Sequence, residues 1–236
     1  YDIVNTAKAI HWCSDKRQGR LDMQAAGVPV PKTWTTRDFL AAYIDEREAR
    51  YVMRPARHAQ GRNLVAGERA AIVAYAQGSY LDGYVSEQID KVAEYRVFVC
   101  QNRVVWVARK TPGNPNDVAW NVAQGGRCDN VGWDAWPKDV IQAALAACKV
   151  GELDFGGVDV MVDKDDNPYV LEVNSAPSQT SPYRQSCVAK AFDYIVNNGK
   201  AHFEDVPDSP RRTYKSYIHP ALWKKGDINE QGIPQA

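Results

Sequence analysis

The stretch Gly157–Asn174 places two acids where a sheet is poorly suited to hold them. Val158, Val160 and Val162 alternate with Asp159, Met161 and Asp163, the two-residue period of a strand with one buried face. Tyr169, Leu171 and Val173 alternate with Val170, Glu172 and Asn174 in the same way. Between the two runs, Lys164 to Asn167 is a polar loop, and Pro168 opens the return strand where a missing N–H is tolerable. Closing that loop at Asp163 and Pro168 predicts that Asp159 stands opposite Glu172, with Asn174 on the same face. Opposed like charges with Cβ atoms about 5 Å apart destabilise a sheet, so something positive is expected between them.

Two carboxylates and an amide oxygen are hard ligands that suit Mg²⁺, with Mn²⁺ as a substitute, rather than zinc. Asp159, Glu172 and Asn174 are therefore the expected metal ligands. Magnesium completes its shell with water and substrate phosphates, which points to a nucleotide or phosphate substrate. The alternative is a surface hairpin whose acids are simply solvated.

Composition narrows the field. The chain has 236 residues, enough for one large domain or two small lobes. Its formal net charge is zero, which implies no overall attraction to nucleic acid or to an anionic membrane. Five scattered cysteines without a C-x-x-C pair support neither a disulfide framework nor a zinc site, so a reducing, cytoplasmic setting is expected. No apolar run approaches the ~18 residues of a membrane span.

Along the chain, Ser14 or Asp15 is expected to cap a helix to about Ala26, ended by Gly27. Thr36 or Asp38 is expected to cap a second helix near 38–49. Strands are expected at 51–55, at 84–89, at 95–99 and at 104–107, and helices at 68–78, 138–150 and 186–197. Residues 58–63 are expected to be a Gly-containing loop. Gln101-Asn102 fits a tight turn, because Asn tolerates positive φ. A two-residue turn there predicts Glu94 opposite Arg109.

At these residues the chain resembles the ATP-grasp superfamily of carboxylate–amine ligases, in particular those of the ribosomal-protein glutamate ligase type, over roughly residues 12–185. The resemblance implies an α+β fold of two α/β lobes whose antiparallel sheets clasp ATP. Asp159 and Glu172-x-Asn174 match the family's ligands for the magnesium ions of MgATP, two ions being expected. Lys16, in Ser14-Asp-Lys, resembles the first phosphate lysine. Arg54-Pro55 stands where the family carries Lys-Pro, and the loop with His58, Gln60 and Gly61 follows it toward the phosphates. Glu87, Gln88, Ile89 and Asp90 resemble the interlobe hinge that binds adenine, and Glu94 the acid that holds the ribose. Arg96 and Arg109 match arginines of the next hairpin, and Asn121 opens an Asn-x-x-x-Gly-Gly element. Arg109, at the developing charge, and Asn121 are the expected catalytic residues.

The implied division is an N-terminal helical segment at 1–50, with the usual Rossmann-like domain absent or truncated, a small ATP-binding lobe at 51–90, a large lobe at 91–200 and a tail at 201–236. Departures fall at Ala119, where the glutamate ligases carry arginine, and at Pro177-Ser178 in place of Pro-Gly. Both lie where the acyl or acceptor substrate is expected. The implied activity joins a carboxylate and an amine through an acylphosphate, releasing ADP and phosphate, with a peptide or protein as one possible acceptor. An ATP-grasp kinase and a non-catalytic ATP-binding module are the alternatives. The tail mixes basic and aromatic residues, which suits either a macromolecular acceptor or a solvated C-terminus.

Overall fold

The computed structural model describes residues 5–42, 49–57, 64–79, 82–114, 118–120, 125–132, 135–179 and 181–199. The expected loop with His58, Gln60 and Gly61, the expected catalytic Asn121 and the tail from 201 lie outside them.

Two antiparallel sheets organise the chain. The smaller contains β1 (Thr33–Thr35), β2 (Arg50–Pro55), β3 (Val65–Glu68) and β4 (Gly83–Glu87), in the order β1-β4-β2-β3. Helices α3 (Thr36–Ala41) and α4 (Arg69–Ser79) pack on it. Its core is Phe39, Tyr51, Met53, Ile72, Ala76 and Val85. Phe39 meets Tyr51 edge to face at 4.9 Å, an arrangement favoured by the ring quadrupoles.

The larger sheet is built from β5 (Lys91–Cys100), β6 (Arg103–Thr111), β7 (Arg127–Asn130), β8 (Phe155–Asp163) and β9 (Pro168–Asn174), in the order β7-β6-β5-β8-β9. Helix α5 (Lys138–Val150) buries Val140, Ile141, Ala144, Ala147 and Cys148, a stripe at helical spacing that meets β5, β8 and β9. Helix α6 (Pro182–Asn198) packs on β6, and its buried Arg184 donates to Asn130 at 2.8 Å and to the Cys128 carbonyl at 2.6 Å. This is the expected α+β architecture. All five cysteines are free thiols. Among the described residues no helix is long and apolar enough to cross a membrane.

The N-terminal segment joins both sheets. Helix α1 (Ala7–Ser14), which the sequence did not signal, contacts β9, and α2 (Lys16–Ala25) contacts both β1 and β9. Asp15 caps α2, accepting from the Gln18 N–H at 2.9 Å, so Ser14 closes one helix while Asp15 opens the next. Gly27, at φ +75°, ends α2 as expected, with the Val28 N–H returning to the Met23 carbonyl at 3.0 Å. The next cap is Thr35 rather than Thr36 or Asp38, and α3 is described only to Ala41. Helix α6 begins four residues earlier than the expected 186, capped by Ser181 with Pro182 in its first turn.

Candidate active site

The chain crosses from the small sheet to the large one through residues 88–90, between β4 and β5. A cavity of about 230 Å³ opens beside this crossing. Arg54 and all four expected hinge residues, Glu87, Gln88, Ile89 and Asp90, lie in its wall, and Met161 and Leu171 enter from the large sheet. The Glu87 N–H is bonded to the Lys32 carbonyl at 3.0 Å and the Gln88 N–H to the Arg50 carbonyl at 2.8 Å. The small sheet thus uses the first two hinge donors itself. Among the described residues the backbone of Ile89 and Asp90 enters no such bond.

Next to the cavity, two hairpins set a row of charges. The turn at Gln101 and Asn102 has φ of 48° and 60°, and Cys100 pairs with Arg103, as a two-residue turn requires. Further along, Val105 is an extra residue: Val99 pairs with Val104, but Phe98 pairs with Trp106. This one-residue shift corrects the expected pairing. Glu94 faces Lys110, and Arg109 faces Tyr95 with its side chain exposed. Arg109 is therefore not brought into the charge row.

Lys110 is the centre of that row instead. Its ammonium lies 2.6 Å from Glu94 and 2.9 Å from Asp159. Lys91 adds a 2.5 Å contact to Glu94. Arg96 holds Asp159 with two bonds of 2.7 Å, the planar fork of guanidinium on carboxylate. Glu94, Lys110 and Asp159 are all buried. Burial by itself would raise the Asp159 pKa, but the charges of Lys110 and Arg96 outweigh it and hold the group below the usual carboxylate range. Burial pulls the Lys91 pKa down despite Glu94. Burial also opposes the charge of Lys110, yet Asp159 and Glu94 together push its pKa up. Glu94, expected at the ribose, thus has one oxygen on Lys91 and the other on Lys110.

Asp159 does stand opposite Glu172, by a route the sequence did not show. At the loop the pairing is one residue tighter than expected, with Val162 on Pro168. Leu171 is then an extra residue in β9, and beyond it Asp159 pairs with Glu172 and Gly157 with Asn174. The Leu171 carbonyl accepts from the guanidinium of Arg20, which reaches it from α2. A bulge beside a site, re-aiming the residues that follow it, is a recurrent device.

The rim of the row belongs to Lys16. Its ammonium donates to the Asn174 Oδ1 at 3.0 Å and to the Val173 carbonyl at 2.9 Å, and lies 3.7 Å from Glu172. The Asn174 amide nitrogen donates to Glu172 at 3.0 Å. The backbone N–H of Lys16 also bonds the Ala56 carbonyl, just beyond β2, at 2.9 Å. Lys16 thereby ties the end of β2 to the carboxylate row.

The positive charge expected between the opposed acids is present as protein side chains. Among the described residues no three His, Cys, Asp or Glu side chains converge on a metal position. The two acids and the Asn174 amide remain a hard-oxygen donor set suited to a divalent cation. In this form Asp159 is engaged by Arg96 and Lys110, and the Asn174 oxygen by Lys16.

Sequence reasoning missed Arg20, Lys91, Lys110 and Met161. Met161 was legible, since it sits two residues from Asp159 on the same strand face. Lys110 was not, because nothing in the β6 sequence marks the bulge at Val105. Arg20 lines the cavity and is almost fully buried, with Nε and Nη1 lacking partners among the described residues. Burial lowers its pKa to about 10.

Two antiparallel sheets meeting at a cleft, with the crossing at residues 88–90 on one wall and the large sheet on the other, define an ATP-grasp architecture. The family model described as RimK-like ATP-grasp domain matches residues 56–195, more than half of the chain, and the chain belongs to that family. Among solved structures, D-alanine–D-alanine ligase from Bacillus anthracis is similar with a TM-score of 0.59 and 18% identity, over 84% of this chain and 71% of that one. D-cycloserine synthetase DcsG matches with a TM-score of 0.55 and 21% identity, over 72% of this chain and 64% of that one. The ATP-grasp ligase PsnB, complexed with minimal precursor, matches with a TM-score of 0.54 and 18% identity, over 78% of this chain. The present chain spans 63% of that PsnB chain. No curated protein matches in sequence.

Proposed function

We propose that the chain is the nucleotide-binding and catalytic part of an ATP-dependent carboxylate–amine ligase. One observation carries this reading: a single cleft joins the hinge Glu87–Asp90 and Arg54 to the large sheet that bears Asp159, Glu172 and Asn174. Adenine needs an apolar slot with a backbone donor and acceptor. Met161 and Leu171 supply the apolar surface, and Ile89 and Asp90 the backbone groups. Arg54 and Lys16 supply cations for the triphosphate, with His58, Gln60 and Gly61 following Arg54 in the chain. Glu172, Asn174 and Asp159 would hold Mg²⁺, or Mn²⁺ in its place, which supplies neutralisation of the γ-phosphate charge. Lys110, on the face where Arg109 was expected, takes its place as a cation on Asp159.

The γ-phosphoryl group would pass to a substrate carboxylate, giving an acylphosphate and ADP. Attack by an amine would then form the amide and release phosphate. A second depression of about 560 Å³, with Lys16, Asn174, Ser175, Ser14 and Arg57 in its wall, suits the second substrate. A peptide acceptor is the reading taken from PsnB, whose structures hold a minimal precursor and a precursor peptide. The proposed test incubates the protein with MgATP, amino acids and peptides, and follows ADP together with product mass. ADP release that requires both carboxylate and amine is the expected result. AMP in place of ADP would refute the acylphosphate route, and a phosphorylated product formed without amine would identify a kinase.

A further inference from the structure

The contact network around Asp159 has a charge balance that bears on metal entry. Lys16, Lys91, Arg96 and Lys110 face Glu94, Asp159 and Glu172, four cations against three carboxylates. A donor set for a divalent cation ordinarily carries excess negative charge; this one carries excess positive charge. The contacts are also direct. Both oxygens of Asp159 accept from Arg96, and one of them lies 2.9 Å from Lys110. The Oδ1 of Asn174, the atom a metal would need, accepts from Lys16 at 3.0 Å.

A free divalent ion approaching Asp159 would meet two cations at contact distance. Displacing Lys110 would leave it buried beside the incoming ion, since it lies inside the sheet, and displacing Arg96, whose side chain is a quarter exposed, would break both bonds of its fork. An arriving triphosphate reverses the balance. Its oxygens compete for ammonium groups on equal terms with carboxylates, and its charge turns the row negative overall.

We infer that Lys110 and Arg96, with Lys16 at the rim, bar a free divalent cation from the Asp159–Glu172 pair, so that metal enters only together with a nucleotide's phosphates. Lys110 is then a positioning residue. It holds Asp159 and Glu94 in place and sets the order in which ligands bind. This inference rests on the proposed nucleotide site.

The test uses Mn²⁺ and water-proton relaxation enhancement, which distinguishes Mn²⁺ on the protein from Mn²⁺–ADP in solution. Wild-type protein is titrated with Mn²⁺ alone and with Mn²⁺ plus ADP. Enhancement only in the presence of ADP is the expected result. In Lys110→Gln, which keeps a donor toward both carboxylates and removes the charge, nucleotide-free Mn²⁺ binding should tighten about tenfold or more, the scale of one charge lost at contact distance. Arg109→Gln makes the same change of net charge on the exposed side and should leave Mn²⁺ binding at the wild-type level.

Mn²⁺ uptake by wild type at equal affinity with and without ADP overturns the inference while leaving the nucleotide site standing. Equal behaviour of Lys110→Gln and wild type also overturns it. Absence of enhancement in every sample overturns the nucleotide site and this inference with it.

Discussion

The β5–β6 and β8–β9 hairpins flank the same β5–β8 ladder and use the same device to opposite ends. Each contains one extra residue, Val105 in one and Leu171 in the other. In β5–β6 the shift turns Lys110 inward to Glu94 and seals both inside the sheet. In β8–β9 the shift brings Glu172 opposite Asp159 at the cleft edge, where the Glu172 side chain keeps 25% of its exposure. One hairpin therefore closes Glu94 and Lys110 off from water and the other leaves Glu172 within reach of a ligand. Buried pairs weigh on stability because removing one partner strands the other. Rim charges weigh little on stability and are available for chemistry.

That contrast can be broken most severely by inserting one residue between Trp106 and Val107. Residues 103–108 of β6 are all buried, and with Phe98 still on Trp106 the insertion would move Arg109 opposite Glu94 and turn Lys110 outward. Loss of cooperative unfolding, read by circular dichroism, is the expected outcome. A stable, folded insertion variant would show that the inward register of Lys110 is not needed for the fold.

Replacing Lys110 by Met leaves Glu94 with Lys91 and Asp159 with Arg96 and removes one buried charged partner from each, which should cost about 1–3 kcal/mol in urea unfolding. A cost within ~0.5 kcal/mol would refute the buried arrangement.

Acid should weaken the same cluster more gently. The folded pKa of Asp159 lies below its unfolded value of ~3.9. Its pairing therefore adds stability above that pH, and the gain is lost as pH falls through the folded pKa. Asp159→Asn should show a shallower fall in the urea midpoint between pH 5 and the acid limit than wild type, on the order of one carboxylate's contribution. Parallel curves would place the linkage elsewhere.

In the other hairpin, Glu172→Gln loses the 3.7 Å ion pair with Lys16, keeps an oxygen for the Asn174 amide, and should cost under about 1 kcal/mol. The same variant should lose about 100-fold or more of ATP-dependent turnover, the scale of a removed charge-stabilising group. Near-normal turnover would remove Glu172 from the proposed site. Arg109→Met, exposed and outside the charge row, should change stability by less than ~0.5 kcal/mol. A larger loss would mean that the two faces of β6 are assigned the wrong way round.

Much of the cleft was readable in advance because its signals are local. Alternation identified β8 and β9, the Gln101-Asn102 turn identified the β5–β6 hairpin, and the step from β4 to β5 coincides with Glu87–Asp90. The Asp159–Glu172 pairing came out as expected because an error at the loop and the bulge at Leu171 cancelled. No such cancellation helped at Val105, and Arg109 was expected where Lys110 stands. The short strands β1 and β7 carry too few residues for a period to show.

The expected hinge came from the family resemblance, while by itself the sequence determined which strands carry the acids and that the opposed carboxylates require positive charge beside them. These follow from side-chain alternation and turn chemistry, which act over a few residues. Only the tertiary structure decided what supplies that charge. Bulges depend on how a strand fits its neighbours across the sheet, and Lys16, Arg20, Arg96 and Lys110 come from separate elements. Their meeting at Asp159, Leu171 and Asn174 is a property of packing that no local pattern encodes.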